Sequence, residues 1–276
     1  MYTPSIYELE KRFPQISGLQ HLDSGGQKMV FAGNHQEHGA VVLKLTNTVD
    51  DRTRREIDIV KNRLPGVPTL FAWGTEDFNG NEVWYLIEER VKGLSLRSVL
   101  EQVGRLEFPQ AIKLLGFLLQ SAALFEQKRL VHRDIKPENI MVNDDGEFFI
   151  LDFGIARALD HTSLTATEAH FGPATIGYAA PEQFRNMKKQ IDARADLFSI
   201  GVVFYECLTG INPFVVGASN RLDVIKRSEK LQVQKLEIEQ DSSGELAGFI
   251  DTLIQKWPSR RPRTAAEAWS WFQKIT

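Results

Sequence analysis

Cysteine is almost absent from this sequence, since Cys207 is the single one among 276 residues. One cysteine excludes a disulfide within the chain, and this removes the small disulfide-stapled secreted domains from consideration. Cys207 lies in an apolar run and is predicted to be a buried small hydrophobe. Because a reducing compartment keeps thiols free, we expect a cytoplasmic location.

An excess of basic residues and long apolar runs are also lacking. The 33 Lys and Arg face 36 Asp and Glu, a formal net charge of -3, so neither nucleic acid nor an anionic membrane is expected as the main partner. No run reaches the roughly 18 apolar residues that a membrane span needs, and residues 1–11 are too polar for a signal peptide. With 42% hydrophobic residues, the composition predicts a globular chain of one or two core-forming units.

Chemistry is concentrated in the two segments VHRDIKPENI and LDFG. Asp134 is able to accept a proton from a hydroxyl, and Lys136, two residues on, can meet a transferred phosphate from the same side of an extended loop. Asn139 and Asp152 offer the hard oxygen ligands that suit Mg²⁺. Phosphoryl transfer needs little more than positioning, charge neutralisation and a base near the acceptor.

The pattern H-R-D-x-K-x-x-N, followed by D-F-G, resembles the eukaryotic-like protein kinases. Lys136 is typical of their serine/threonine members, and the segment GYAAPEQ is similar to that of bacterial kinases. The resemblance implies an α+β, two-lobed protein kinase fold over the whole chain, 1–276. A small β-sheet-rich N-lobe with one main helix is expected at about 1–88, a hinge at about 89–93, and a larger, mostly helical C-lobe at about 94–276.

Residues 19–31 have apolar ends and a glycine-containing centre, which predicts strand, turn and strand. The resemblance makes this the phosphate-binding loop, with these residues at the nucleotide: Asp23, Ser24, Gly25, Gly26 and Val30. Asp23 and Lys28 stand where two of the family's glycines usually lie, so a plain hairpin is the alternative.

Lys44 interrupts the apolar strand run Ala40–Leu45, where an ammonium without a partner would be unfavourable. An edge strand with Lys44 in water is one interpretation. The resemblance implies instead that Lys44 binds the α- and β-phosphates of ATP and pairs with Glu56 in the helical segment Thr53–Val60.

A polar segment, Glu88–Gly93, follows the predicted strand Val83–Ile87. The resemblance makes it the hinge, in which backbone groups of Glu89 and Val91 bond adenine. Glu88 then falls on the gatekeeper position, where the family usually has an apolar residue or threonine, unless the alignment is shifted by one residue.

The segment from Pro109 to Gln127 is apolar nearly all round and predicts a buried helix. Beyond the HRD segment, two apolar runs flank the turn sequence NDDG and predict a hairpin with Asn139 and Asp152 at its ends. Asp196, at the start of a second apolar helix, is predicted to cap backbone donors near the HRD loop. The resemblance further implies a substrate platform and its support: Thr175, and Glu182 of A-P-E paired with Arg261.

The resemblance also implies control by phosphorylation. Arg133 is expected to contact a phosphate on the activation segment, and Arg157 to reach the same anion. Thr167, and next to it Thr165, resemble autophosphorylation sites. Alternatively, Glu168 already supplies the anion and the enzyme is constitutively active.

The function expected from the resemblance is transfer of the γ-phosphoryl group of ATP to protein serine or threonine, with Mg²⁺, or Mn²⁺, as the metal. A pseudokinase that acts as a nucleotide-binding scaffold is one alternative, favoured by the imperfect loop and Glu88. A small-molecule phosphotransferase of the same fold is another, although Thr175 and the intact A-P-E favour a protein substrate. The sequence leaves the oligomeric state open.

Overall fold

The computed structural model describes most of the chain as two compact units. The described residues are 3–25, 28–46, 57, 63–152, 175–185 and 191–276, with the backbone alone for 23–25 and 28. The first unit comprises the described parts of Met1–Lys92 and Leu151–Leu164, and the second those of Gly93–Ile150 and Thr165–Thr276.

The first unit begins with helix α1, Ile6–Arg12. A capping box starts it: the Ser5 hydroxyl accepts the Glu8 N–H at 3.3 Å, and the Glu8 carboxylate accepts the Ser5 N–H at 2.9 Å. An antiparallel sheet of order β1-β2-β3-β5-β4 follows in the described part of the unit. Its strands are β1 Ile16–Gly25, β2 Lys28–His35, β3 Gly39–Thr46, β4 Leu70–Phe78 and β5 Asn81–Glu89.

The two faces of this sheet differ because side chains alternate along each strand. One face joins the core, where strand residues pack with Leu9 and Phe13: Phe31, Leu43, Val83 and Ile87. The opposite face carries the residues paired around Lys44: Val30, Val42, Leu86 and Glu88. Since β3 lies in the middle of the sheet, the edge-strand interpretation of Lys44 is wrong.

The second unit is mostly helical. A short sheet of order β6-β7-β8 consists of Leu94–Ser95, Ile140–Val142 and Phe148–Ile150. The β7–β8 hairpin predicted around NDDG is confirmed, with Ile140 opposite Ile150. The helices are α2 Leu96–Val103, α3 Phe108–Gln127, α4 Pro181–Phe184, α5 Ala193–Thr209, α6 Arg221–Lys230, α7 Glu245–Leu253 and α8 Ala265–Ile275, with 3₁₀ turns at Pro137–Asn139 and Pro258–Arg260.

Helix α3 packs against α5 and α8, and its apolar side chains form much of this unit's core. Its buried character confirms the prediction from its all-round hydrophobicity. By length and composition alone, α3 is also the one helix among the described residues that could cross a membrane, contrary to the expectation that no segment qualifies. Half of the qualifying stretch is buried inside the unit, as in a core helix. Cys207 of α5 is fully buried, which confirms its predicted packing role.

Candidate active site

The loop that carries Asp134 is held in place by hydrogen bonds to a buried carboxylate. Asp196 of α5 accepts the backbone N–H groups of His132 at 2.8 Å and Arg133 at 2.7 Å. Burial raises the pKa of Asp196, while nearby His132 and the two N–H donors oppose that rise. The predicted contact of Asp196 with the loop is confirmed, but the N-cap of α5 is Asp192, whose carboxylate accepts the Arg194 N–H at 3.0 Å.

The predicted catalytic residues Asp134 and Lys136 meet the predicted substrate-platform residue Thr175 and the predicted metal ligand Asn139 at the Asp134 side chain. The Thr175 hydroxyl donates to Oδ1 of Asp134 at 2.6 Å. Asn139 Nδ2 donates to Oδ2 of Asp134 at 3.1 Å and to its backbone oxygen at 2.9 Å. Lys136 Nζ lies 3.3 Å from Oδ2 and donates to the Thr175 hydroxyl at 3.1 Å. A carboxylate, a cation and a hydroxyl are therefore held within hydrogen-bond reach of one another.

Lys44 forms a second charged cluster, within the first unit. Its ammonium donates to Oδ1 of Asp152 at 2.7 Å and also pairs with the carboxylate of Glu88. Burial lowers the pKa of Lys44, but the two carboxylates outweigh it and raise that pKa above its ordinary value. Glu56, the partner predicted for Lys44, lies outside the described residues.

Glu88 as a partner of Lys44 was missed at the level of sequence. No local sequence signal marks the contact, because the two residues meet only through the pairing of their strands. Val42 is opposite Glu88 and Leu86 is opposite Lys44, so the two charged residues are diagonal neighbours on one face. Without the pairing of β3 with β5, that relationship does not follow from the residue order.

Asp152 has a backbone conformation rare for a residue with a Cβ. Its φ is 57°, in the left-handed region. Non-glycine residues in this region are uncommon and are found preferentially at functional sites. The backbone conformation therefore supports Asp152 as a functional residue.

The predicted nucleotide-contact residues are described in part. The β1–β2 hairpin pairs Gly25 with Lys28, and Val30 lies half-buried opposite Lys44. Gly26, and the side chains of Asp23 and Ser24, lie outside the described residues.

The predicted adenine contacts fall at the end of β5 and just beyond it. Glu89 donates its N–H to Thr69 O at 2.8 Å, so this N–H is engaged by the protein itself. Val91, the other predicted contact, is half-buried beyond the strand.

The end of the predicted activation segment is anchored by a buried ion pair. Arg261 donates two hydrogen bonds to Glu182, Nη1 to Oε1 at 2.6 Å and Nη2 to Oε2 at 3.0 Å. The contact predicted between these residues is therefore present. Gln183 donates to Arg133 O at 2.9 Å, which joins α4 to the HRD loop. Arg157, Thr165 and Thr167 lie outside the described residues.

A further polar network was missed at the level of sequence. Arg97 of α2 donates to Glu138 at 2.8 Å and to Glu206 at 2.9 Å, and the Tyr178 hydroxyl contacts both Arg97 and Glu206. Burial, reinforced by Glu206, raises the pKa of the Tyr178 phenol, so it remains a neutral hydrogen-bond donor. The network links the 3₁₀ turn after Lys136 to α5.

Comparisons with known proteins agree with this arrangement. Residues 19–272 match the protein kinase domain family. A probable serine/threonine-protein kinase of Corynebacterium efficiens is 33% identical over 259 residues, which covers 89% of this chain and 39% of that protein. The serine/threonine-protein kinase PknB of Mycobacterium leprae is 33% identical over 204 residues, 74% of this chain and 32% of that protein. The chain therefore spans well under half the length of these relatives.

A solved structure has the same fold. The crystal structure of Rad53 1-466 in complex with AMP-PNP superimposes with a TM-score of 0.74 at 25% identity, over 95% of this chain and 66% of that one. The fold is thus the two-lobed protein kinase fold that the motifs implied. With the family match over nearly all of its length, this chain belongs to the protein kinase domain family and, within it, to the bacterial-type serine/threonine kinases.

Proposed function

We propose that this chain is an ATP-dependent protein kinase that transfers the γ-phosphoryl group of ATP to serine or threonine hydroxyls of a protein. The observation that carries the proposal is the hydrogen bond from the Thr175 hydroxyl to Asp134 at 2.6 Å. In this contact a carboxylate accepts a hydrogen bond from an aliphatic hydroxyl, which is the interaction that a general base makes with such a substrate. The family match and the relatives' names support the same activity.

In the proposed reaction, the substrate oxygen bonds to the γ-phosphorus while the bond from that phosphorus to the β–γ bridging oxygen breaks. The electrons of the broken bond leave with ADP, and the hydroxyl proton passes to Asp134 and then to solvent. Lys136, 3.3 Å from Asp134, stabilises negative charge on the transferring oxygens. Lys44 binds the phosphates of ATP and keeps them in position.

Asn139 and Asp152 are the residues that would hold Mg²⁺ or Mn²⁺. Their amide and carboxylate oxygens are hard ligands of the type these ions prefer. Asn139 uses its amide nitrogen on Asp134, and among the described residues no donor contacts its amide oxygen, so that oxygen is left for a cation. When bound, the ion neutralises charge on the phosphates.

We also propose autophosphorylation at Thr167 or Thr165, with Arg133 and Arg157 binding the phosphate. A phosphothreonine adds about -1.5 to -2 charges and strong acceptor oxygens, which suit guanidinium groups. Asp196 and Gln183 form hydrogen bonds with the backbone of Arg133, and these bonds fix the position of its Cα. A cytoplasmic location is proposed on the compositional argument given above.

The proposal is tested by identifying which class of molecule accepts the phosphoryl group. The chain is incubated with ATP and Mg²⁺ in the presence of casein, of a mixture of small-molecule alcohols, or of no acceptor, and phosphate on each acceptor is measured by mass spectrometry. Phosphoserine or phosphothreonine on casein, without phosphorylated alcohols, is expected. Phosphorylated alcohols alone would indicate a small-molecule phosphotransferase, and ATP binding without any transfer would indicate a scaffold; either result contradicts the proposal.

A further inference from the structure

Glu88 is a charged residue on a sheet face where its nearest strand neighbours are apolar. Val42 lies opposite it on β3, and Leu86 precedes it by two positions on the same face of β5. The Glu88 side chain is only 12% exposed. A carboxylate this far removed from water is unfavourable unless a cation or hydrogen-bond donors compensate for the lost hydration.

The compensating group is the ammonium of Lys44. It is also 12% exposed and contacts the carboxylates of both Glu88 and Asp152. An ammonium has three N–H donors. With one directed to each of these two carboxylates, the described part of the chain leaves one donor for a further anion. The Lys44 ammonium can therefore donate a hydrogen bond to a phosphate oxygen without breaking its pair with Glu88.

The two carboxylates differ in how they are held and in what else they do. Glu88 belongs to β5, which is paired on both sides in the sheet, by β3 and by β4. Asp152 lies outside the strands and is the residue proposed to ligate a metal ion. A metal ion draws on the charge of Asp152, so the attraction between Asp152 and Lys44 weakens when the ion is bound. Glu88 is not among the residues proposed to ligate the metal ion.

We propose that Glu88 is a positioning residue for Lys44, which holds the ammonium in place to contact the nucleotide phosphates while Asp152 serves the metal. This inference rests on the proposed function. Glu88 acts through Lys44 and makes no contact with the nucleotide itself. Glu88 should therefore affect the binding of ligands that carry phosphate and of no others. This effect should disappear when Lys44 is removed.

The test is a double-mutant cycle on ligand binding. Dissociation constants for ATP with Mg²⁺ and for adenosine are measured by calorimetry in the wild type, Glu88→Gln, Lys44→Met and the double variant. Glutamine keeps the shape of Glu88 and removes its charge. Glu82→Gln is the matched control, because Glu82 is an exposed carboxylate on the same strand. Glu88→Asp, which keeps the charge on a shorter side chain, covers the case in which the glutamine variant does not fold.

Glu88→Gln is expected to weaken ATP binding about tenfold, within the range of coupling between contacting residues. Adenosine binding stays unchanged, and so does ATP binding in Glu82→Gln. In the Lys44→Met background, the substitution of Glu88 has no further effect on ATP binding. Glu88→Asp binds ATP with an affinity between those of the wild type and Glu88→Gln.

Several results would overturn the inference. An equal loss for ATP and adenosine, or a loss that persists without Lys44, would mean that Glu88 acts on the base or on packing. Unchanged or tighter ATP binding in Glu88→Gln would mean that Glu88 does not position Lys44, or that it withholds Lys44 from phosphate. A wild type that binds ATP but transfers no phosphate contradicts the proposed function alone, whereas one that binds no ATP contradicts both.

Discussion

The ammonium of Lys44 is paired with the carboxylate of Glu88, which comes from the neighbouring strand of the same sheet. With Asp152 on its other side, Lys44 separates two acidic groups that would otherwise repel each other. The lysine is therefore a structural cation as well as the proposed phosphate ligand. These two roles can be separated by mutation.

Lys44→Met is expected to reduce phosphoryl transfer by more than about a hundredfold, the scale for loss of one preorganised electrostatic group. It also lowers the melting temperature, because Glu88 and Asp152 lose the cation between them. Adding Glu88→Gln removes one of the two carboxylates and restores part of the melting temperature, but no activity. Calorimetry and a transfer assay on the three proteins check this. Near-normal transfer in Lys44→Met would contradict the role in catalysis.

Arg261→Met should be among the most destabilising changes in the second unit. The Arg261 side chain is fully buried, and its loss leaves Glu182, 4% exposed, without its bidentate partner. Leaving a buried charge unpaired typically costs about 3–5 kcal/mol in the free energy of unfolding. The double variant Arg261→Met/Glu182→Met is expected to recover much of that loss.

The exposed pair Lys113–Glu147 provides the control for the buried one, since its side chains are 52% and 62% exposed. Lys113→Met should change the free energy of unfolding by about 1 kcal/mol or less. Urea unfolding gives the free energy of unfolding of the wild type, of Arg261→Met, of the double variant and of Lys113→Met. Equal losses for the buried and the exposed pair would refute this account of the anchor.

Gly93→Ala is expected to disrupt the start of β6. The φ of Gly93 is 133°, and an added Cβ would lie 2.0 Å from the carbonyl oxygen of Val142 and 2.7 Å from Cα of Asn143. Backbone strain and overpacking together predict a loss of about 3 kcal/mol or more in the free energy of unfolding. Gly146→Ala is the control, because its φ is 72° but its Cβ position is open, so only about 1–2 kcal/mol is lost. Comparable losses for the two variants would contradict the close approach.

Cys207 should be chemically inert in the folded protein. Burial, with a smaller effect of Glu206, raises the pKa of its thiol, and the reactive form is the thiolate. At about pH 8, near the pKa of an ordinary cysteine, alkylation by iodoacetamide is expected to be very slow in the native state and fast in guanidinium chloride. Mass spectrometry of timed samples gives both rates. Rapid alkylation of the native protein would show that α5 is not packed as described.

Much of this molecule could be predicted from local pattern. The strands around Lys44, the buried helix α3 and the hairpin after Asn139 follow from apolar periodicity and turn residues, and each is present. The contact of Arg261 could be predicted because the kinase resemblance assigns its position, and that of Asp196 because it lies near the start of an apolar helix. Local pattern, however, specifies neither strand pairing nor side-chain partners that are distant in the chain.

What could not be predicted depends on those distant contacts. Glu88 became a partner of Lys44 only through the pairing of β3 with β5. Arg97 is separated by 81 positions from Tyr178 and by 109 from Glu206, and no periodicity relates them. The start of α5 also differs: Asp196 lies in the first turn of the helix, and its N-cap is Asp192.

The central claim is that Asp134 accepts the proton of a protein hydroxyl during phosphoryl transfer. Its most direct test is the single-turnover rate of transfer from ATP to a protein substrate in the wild type, in Asp134→Asn and in the control Asp144→Asn, which alters an exposed turn residue. Asparagine keeps the shape of Asp134 but is a far weaker base. The account predicts that Asp134→Asn lowers this rate by at least about a hundredfold, with ATP affinity unchanged and Asp144→Asn equal to the wild type. A wild-type rate in Asp134→Asn would contradict it.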